Sequence, residues 1–143
     1  MDSLELLDIV KIIESFIVKY NPSVVYTHHS GDVNIDHQII HKAVVTACRP
    51  VPEKGIETLL FFEVSSSTEW QPPQSLQPFC PNWFVDITDV LQIKMSALNA
   101  YENEMRQFPH ARSCKAIESL AVWRGATVGV GACEAFMLGR KIQ

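Results

Sequence analysis

Apolar residues recur at three- and four-residue spacing from residue 3 to residue 20: Leu6, Ile9, Val10, Ile13, Ile17 and Tyr20. This period predicts an amphipathic helix, with Asp2 or Ser3 available to cap its start. NPS ends the helix, and the β-branched and aromatic run VVYTHH predicts a buried strand. The loop SGDVN leads into a second predicted helix, IDHQIIHKAVVTACR, closed by Pro50 and Pro52. IETLLFFEVSSS predicts another buried strand. Helix, strand, helix, strand is the rhythm of an α/β sheet with parallel strands.

Residues 69–82 (EWQPPQSLQPFCPN) are rich in Pro and Gln and predict an ordered excursion across the surface. WFVDIT predicts a short strand ending in a helix cap. A helix is expected over 88–107, with Val90, Leu91, Met95, Leu98, Tyr101 and Met105 as its apolar stripe. A last helix is expected over 113–124. GATVGVGACEAFMLGRKI then gives a Gly-rich turn and an apolar segment. The pattern contains no internal repeat, and 143 residues are enough for a single α/β domain, 1–143, with a real core.

Composition narrows the class. The chain is 47% hydrophobic and 20% charged, and no apolar run approaches the roughly 18 residues of a membrane span. A net charge of −4 with scattered Lys and Arg gives no footprint for nucleic acid or an anionic membrane. Acidic residues from the second position onward argue against a secretory signal, so a cytoplasmic location is expected. Cys48, Cys80, Cys114 and Cys133 form no C-x-x-C pair and are expected to be reduced and mostly buried.

The candidate chemistry lies in YTHHSGDVNIDHQIIH, residues 26–41, which holds four of the five histidines. Ligands of α/β sheets sit in loops at the C-terminal ends of strands, and this loop directly follows VVY. His28, His29, Asp32, Asn34, Asp36 and His37 are thus expected to face a crevice, and His37 and His41 would share a helical face. The plainer reading makes the histidine spacing accidental and the aspartate a cap. A separate metal site built from His28, His29, His37 and His41 is a further reading. A catalytic zinc needs three protein ligands and an open position, which this motif alone does not complete.

PSVVYTHHSGDVNIDHQIIHKAVVTACRP is followed in order by FFEVSSSTEW, VDITDVLQIKMSALNAYENEM, ESLAVWRGATVG and CEAF. Together these blocks resemble the LmbE-like (PIG-L) family of zinc-dependent N-deacetylases over nearly the whole chain. The resemblance implies a Rossmann-like sheet with flanking helices, a Zn2+ cofactor, and hydrolysis of the N-acetyl group of an N-acetylglucosamine-type amino sugar or conjugate. In the family, zinc is held by a His and an Asp of an N-terminal H-P-D-D-E motif and by a later His closing an H-P-D-H-like motif. That later motif matches Asn34, Ile35, Asp36 and His37. His37 is therefore the implied metal ligand and Asp36 an implied orienting carboxylate. Asn34 replaces the family's leading His; it can donate a hydrogen bond but cannot titrate.

Glu134 in ACEAF matches a C-terminal block of the family and is an implied pocket residue. Its structural alternative is an ion pair with Arg124 or Arg140. Ala132 stands where family members often have an aromatic residue. Glu69 and Trp70, in the loop after a strand, are candidate sugar contacts, against the alternative that Trp70 only packs. H-P-D-D-E is absent from the sequence, and His110 in QFPHARS has no acidic pair after it. MDSLELLDIVKIIE resembles the interior of family members, so the chain is expected to be a C-terminal portion, incomplete at its N-terminus. It would carry one of three ligands and lack the base. Two functional readings follow: a deacetylase completed by the missing segment, or a catalytically silent remnant serving as a binding module. An uncovered sheet edge would favour self-association or docking onto another polypeptide.

Overall fold

The computed structural model describes residues 5–52, 55–101 and 103–143. Its element order is α1 (Leu6–Tyr20), β1 (Val24–His28), α2 (Ile35–Ala47), β2 (Thr58–Phe62), β3 (Trp83–Asp86), a 3-10 turn (Thr88–Val90), α3 (Leu91–Asn99), α4 (Cys114–Ala126) and β4 (Cys133–Lys141). Hydrogen bonding orders the strands β1-β2-β4-β3 in an open, mixed sheet. The chain divides into two compact units, one running to Cys80 and including Met137–Gln143, the other Pro81–Phe136.

In the first unit β1 and β2 pair in parallel, with Val24 opposite Thr58 and His28 opposite Phe62. Parallel neighbours need a crossover, and α2 supplies it. The core joins Ile9, Val10 and Ile17 of α1 to Ala43, Val44 and Ala47 of α2 and its C-cap Cys48, with Ile56 and Leu59. Two alanines on the buried face of α2 let α1 approach closely. Asn21 closes α1 in the left-handed conformation (φ 42°, ψ 57°), its N–H donating to the Ile17 carbonyl, and Pro22 prevents continuation. Asp2 and Ser3, the expected caps, lie outside the described residues. Glu5 stands at the cap position without a side-chain bond.

In the second unit β3 runs antiparallel to the start of β4, with Trp83 opposite Phe136 and Asp86 opposite Cys133. Ser113 caps α4 by accepting from the Ala116 N–H. Ile87, Ala121 and Ala132 form the small core, with Leu91 packed against it. The helix expected over 88–107 is shorter: α3 stops at Asn99, and the backbone turns through Tyr101 N–H to Leu98 O and then Arg106 N–H to Arg112 O. Those bonds leave the helical register, so Tyr101 and Met105 do not extend the stripe. The closing apolar segment is a nine-residue strand, β4. The four cysteines form no disulfide; Cys48 and Cys133 are buried, whereas Cys80 is exposed and Cys114 half-buried, fewer inside than expected.

Candidate functional site

The site lies in the first unit, where β1 gives way to α2. Asn34 starts α2 as its N-cap: its backbone is extended (φ −76°, ψ 120°) and its Oδ1 accepts from the Asp36 N–H at 2.9 Å. An Asn side chain satisfies the orphan donors of the first turn in this way. Two bonds then tie α2 to the preceding loop. Gln38 Nε2 donates to the Asp32 carbonyl at 2.6 Å, and His41 Nδ1 donates to the His28 carbonyl at 2.8 Å. His41 is thus anchored to β1 through its Nδ1.

Asp32 is the centre of the arrangement. It is 0% exposed, and its carboxylate accepts from four donors. Oδ1 takes the Asn34 N–H at 2.8 Å, the Ser67 hydroxyl, and His37 Nδ1 at 3.2 Å; Oδ2 takes the Thr68 hydroxyl at 2.8 Å. Burial opposes ionisation of this carboxyl. The hydrogen bonds from Ser67, Asn34 N–H, Thr68 and His37 outweigh it and hold the group below its ordinary value of 3.8.

The other half of the cradle is the turn after β2. Thr68 N–H donates to the Val64 carbonyl, and its hydroxyl accepts from the Val64 N–H at 2.8 Å. Ser66 is left-handed (φ 66°), a strained state for a residue with a Cβ. Glu69 secures it: Oε1 accepts from Ser66 N–H at 2.6 Å and Oε2 from Ser67 N–H at 3.2 Å. The turn thereby presents Ser67 and Thr68 to Asp32.

His37 stands at the open end of this network. In the neutral ring, Nδ1–H directed at Asp32 leaves the Nε2 lone pair available, the arrangement by which histidine ligands are oriented in metal sites generally. Ser67 approaches the same Nδ1 at 3.4 Å, so Ser67, His37 and Asp32 do not form a nucleophilic relay, which needs the serine and the acid on opposite ring nitrogens. The His28 ring stacks on His37 at 4.1 Å, and its buried Nδ1 has no hydrogen-bond partner. Burial, then the nearby His37, lowers the His28 pKa against the raising effect of Asp32; burial is also the main cause lowering that of His41.

The structure brings His37 and Asn34 together with Asp32, Ser67 and Thr68, and the carboxylate on the His37 ring is Asp32. Asp36 occupies the first turn of α2, where its negative charge suits the helix N-terminus. Glu69 belongs to the Ser66–Ser67 turn, and Trp70 beside it is 54% exposed. Glu134 lies in the second unit, paired at 2.8 Å with Lys94 of α3 rather than with either expected arginine. Ser67 and Thr68 were not singled out from the sequence. Their signal was the polar run SSST directly after a buried strand, where hydroxyls need partners.

Stability should fall with acid in two steps. Below 6.5 the unfolded state takes up protons on His28 and His41 that the folded state refuses, so stability declines there first. Asp32 contributes fully above 3.8 and loses its contribution as pH falls through its lower folded value. Urea unfolding from neutral to acid pH is expected to show both declines, the lower one reduced in Asp32→Asn. An unchanged lower decline in that variant would contradict the assignment.

The fold is that of the LmbE-like deacetylases. Among solved structures, the chain is similar to an N,N'-diacetylchitobiose deacetylase from Pyrococcus horikoshii, at TM-score 0.68 and 14% identity over 96% of this chain and 54% of that one. It is also similar to a conserved protein from Thermus thermophilus (TM-score 0.70, 19% identity, 95% of this chain and 60% of that one). A third is a 4-carboxy-2-hydroxymuconate hydratase from Pseudomonas putida (TM-score 0.69, 18% identity, 95% and 60%). The chain therefore spans about 54–60% of the length of these structures. No protein-family model and no curated protein matches it.

Among the described residues, no group of three or more His, Cys, Asp or Glu is arranged to hold a metal ion. The donor chemistry fits a metal at one point: His37 Nε2, with Nδ1 fixed by a buried carboxylate. Such a histidine would be one of the three protein ligands a catalytic zinc takes. Among the described residues no helix is long and apolar enough to cross a membrane.

Proposed function

We propose that this chain provides the His37 part of a metal-dependent amide hydrolase site that removes the acetyl group from an N-acetylglucosamine-type amino sugar or its conjugate. The observation that carries the reading is the contact of His37 Nδ1 with the buried, four-fold hydrogen-bonded Asp32. The same fold occurs in a deacetylase and in a hydratase, so fold alone does not choose the reaction. The choice rests on the resemblance of the GDVNIDH run to the deacetylase motif and on a ligand histidine held ready.

In this reading His37 holds the metal through Nε2. Asp32 fixes the ring's tautomer and direction and raises the basicity of the ligand nitrogen. Asn34 spends its Oδ1 on the helix cap, which leaves its amide N–H groups as donors for a developing oxyanion. Asp36 adds negative charge in the same first turn of α2 as His37. Glu69 shapes the turn that carries Trp70, whose exposed indole offers a flat face to a sugar ring. A bound zinc would polarise the acetamide carbonyl and acidify a water. The base and the remaining ligands would come from outside the described residues.

Zinc titration followed by imidazole nitrogen NMR tests this directly. Nε2 of His37 is expected to shift first, and His37→Ala to abolish the response. Shifts shared among His28, His29 and His41 would instead support the separate histidine site, and an unresponsive His37 at millimolar zinc would overturn the proposal. Release of free amine from N-acetylglucosamine conjugates, compared with His37→Ala, then tests the substrate class.

A further inference from the structure

Helix α1 buries Ile9, Val10 and Ile17, yet carries a second apolar row in the open. Ile12, Phe16 and Tyr20 follow one another at four-residue spacing and are 51%, 53% and 63% exposed. The Phe16 and Tyr20 rings stack at 6.1 Å. Residues four apart form a continuous ridge, the surface that helices interdigitate when they pack.

The charges beside the ridge indicate what covers it. Asp8 opens the same row one turn before Ile12, and Lys19 borders it at the far end, three residues after Phe16. Eleven residues put them roughly 16 Å apart along the axis, too far to meet within one helix. Their local partners are weak: Lys11 reaches Asp8 at 3.6 Å with both side chains exposed, and Lys19 lies over the Tyr20 ring at 4.8 Å. Asp8 and Lys19 are nearly equidistant from the point midway between Ile12 and Phe16. A twofold axis through that point sets two α1 helices antiparallel, places each Asp8 opposite the other copy's Lys19, and packs ridge on ridge.

We propose that the Ile12–Phe16–Tyr20 ridge is a self-complementary interface with a second copy of this chain, registered by reciprocal Asp8–Lys19 pairs. Such an interface is isologous and closes as a dimer. It rests on α1 alone and is independent of the metal reading.

Sedimentation equilibrium on the full chain tests it, with circular dichroism confirming that each variant keeps its helices. The parent is expected to dimerise with a dissociation constant on the order of micromolar. Phe16→Glu should leave only monomer. Asp8→Lys and Lys19→Glu should each weaken the dimer about tenfold, since each sets like charges together at two symmetric contacts. The double variant Asp8→Lys/Lys19→Glu should recover to within about threefold of the parent. Both changes oppose the dipole of their own helix, so recovery cannot come from better isolated helices. A parent that stays monomeric, a dimer indifferent to Phe16→Glu, or a double variant no better than the singles would each overturn the proposal.

Discussion

Asp32→Ala is expected to cost about 3–5 kcal/mol of stability, the range for breaking a buried charged network from one side. Four donors converge on this carboxylate, and the variant strands them together. The Ser67 and Thr68 hydroxyls can rotate toward other acceptors, but the Asn34 N–H is fixed by the start of α2 and stays orphaned, at roughly 1–3 kcal/mol. Asp32→Asn keeps the volume and half the acceptor capacity, so about half the loss is expected. Urea unfolding of the two variants beside the parent measures this. His37 should also lose its orientation, and zinc affinity in Asp32→Ala should fall about 10–100-fold. An alanine variant as stable as the parent would remove Asp32 from the centre of the site.

Gly31→Ala carries the other large effect. A Cβ at this position would overlap the Gln77 carbonyl oxygen and stand 3.3 Å from its carbon and 2.7 Å from His29 Nε2. The obstacle is backbone, so no side-chain rotation relieves it. The close approach exists because His29 Nε2–H donates to that same carbonyl at 2.8 Å, while Phe79 meets the His29 ring edge-on. The excursion over residues 71–80 must lift away or the loop before Asp32 must shift. About 2–3 kcal/mol of destabilisation is expected, as for other overpacked sites. Limited proteolysis should reveal which segment yields: cleavage within 72–78 is expected to rise about tenfold, the equivalent of 1.4 kcal/mol of local opening. Unchanged cleavage together with unchanged stability would mean that the excursion is not held at Gly31.

The parallel half of the fold was legible because its signals are local and redundant. The 3.6-residue period of α1, the β-branched run of β1 and the prolines after α2 each mark one element, and the structure places them within a few residues. The second unit was harder. The stripe over 88–107 predicts one helix, but the Arg106–Arg112 backbone bond depends on a loop partner that no sequence window reports. The strand character of CEAFMLGRK comes from β2 and β3 on either side of it, and its own glycine and charges disguise it.

At the site, the sequence brought out His37, Asn34 and the loop that bears them. Asp36 was expected to orient neighbouring polar groups; the carboxylate that contacts the His37 ring is Asp32, which the sequence places only among the residues facing the crevice. On a helix, Asp36 points about 100° away from His37, while Asp32, in the loop, can fold back onto it. Ser67 and Thr68 lie more than thirty residues from Asp32 along the chain. Only the parallel pairing of β1 with β2 brings the two loops to one end of the sheet.

Strand β4 comes last in sequence but sits inside the strand order. During synthesis β2 therefore emerges with one edge unsatisfied and β3 with no strand partner, and both must wait for the final described strand. The Asp32 cradle needs only residues up to Glu69, and Arg140 of β4 later donates to the Cys48 carbonyl at the end of α2. The chemistry-bearing loop can thus assemble on the nascent chain well before the sheet is sealed. The late pairings link residues distant in sequence and set a slow, high-contact-order final step. Until that step finishes, the exposed edges of β2 and β3 are the places where a chaperone or a stray strand would attach.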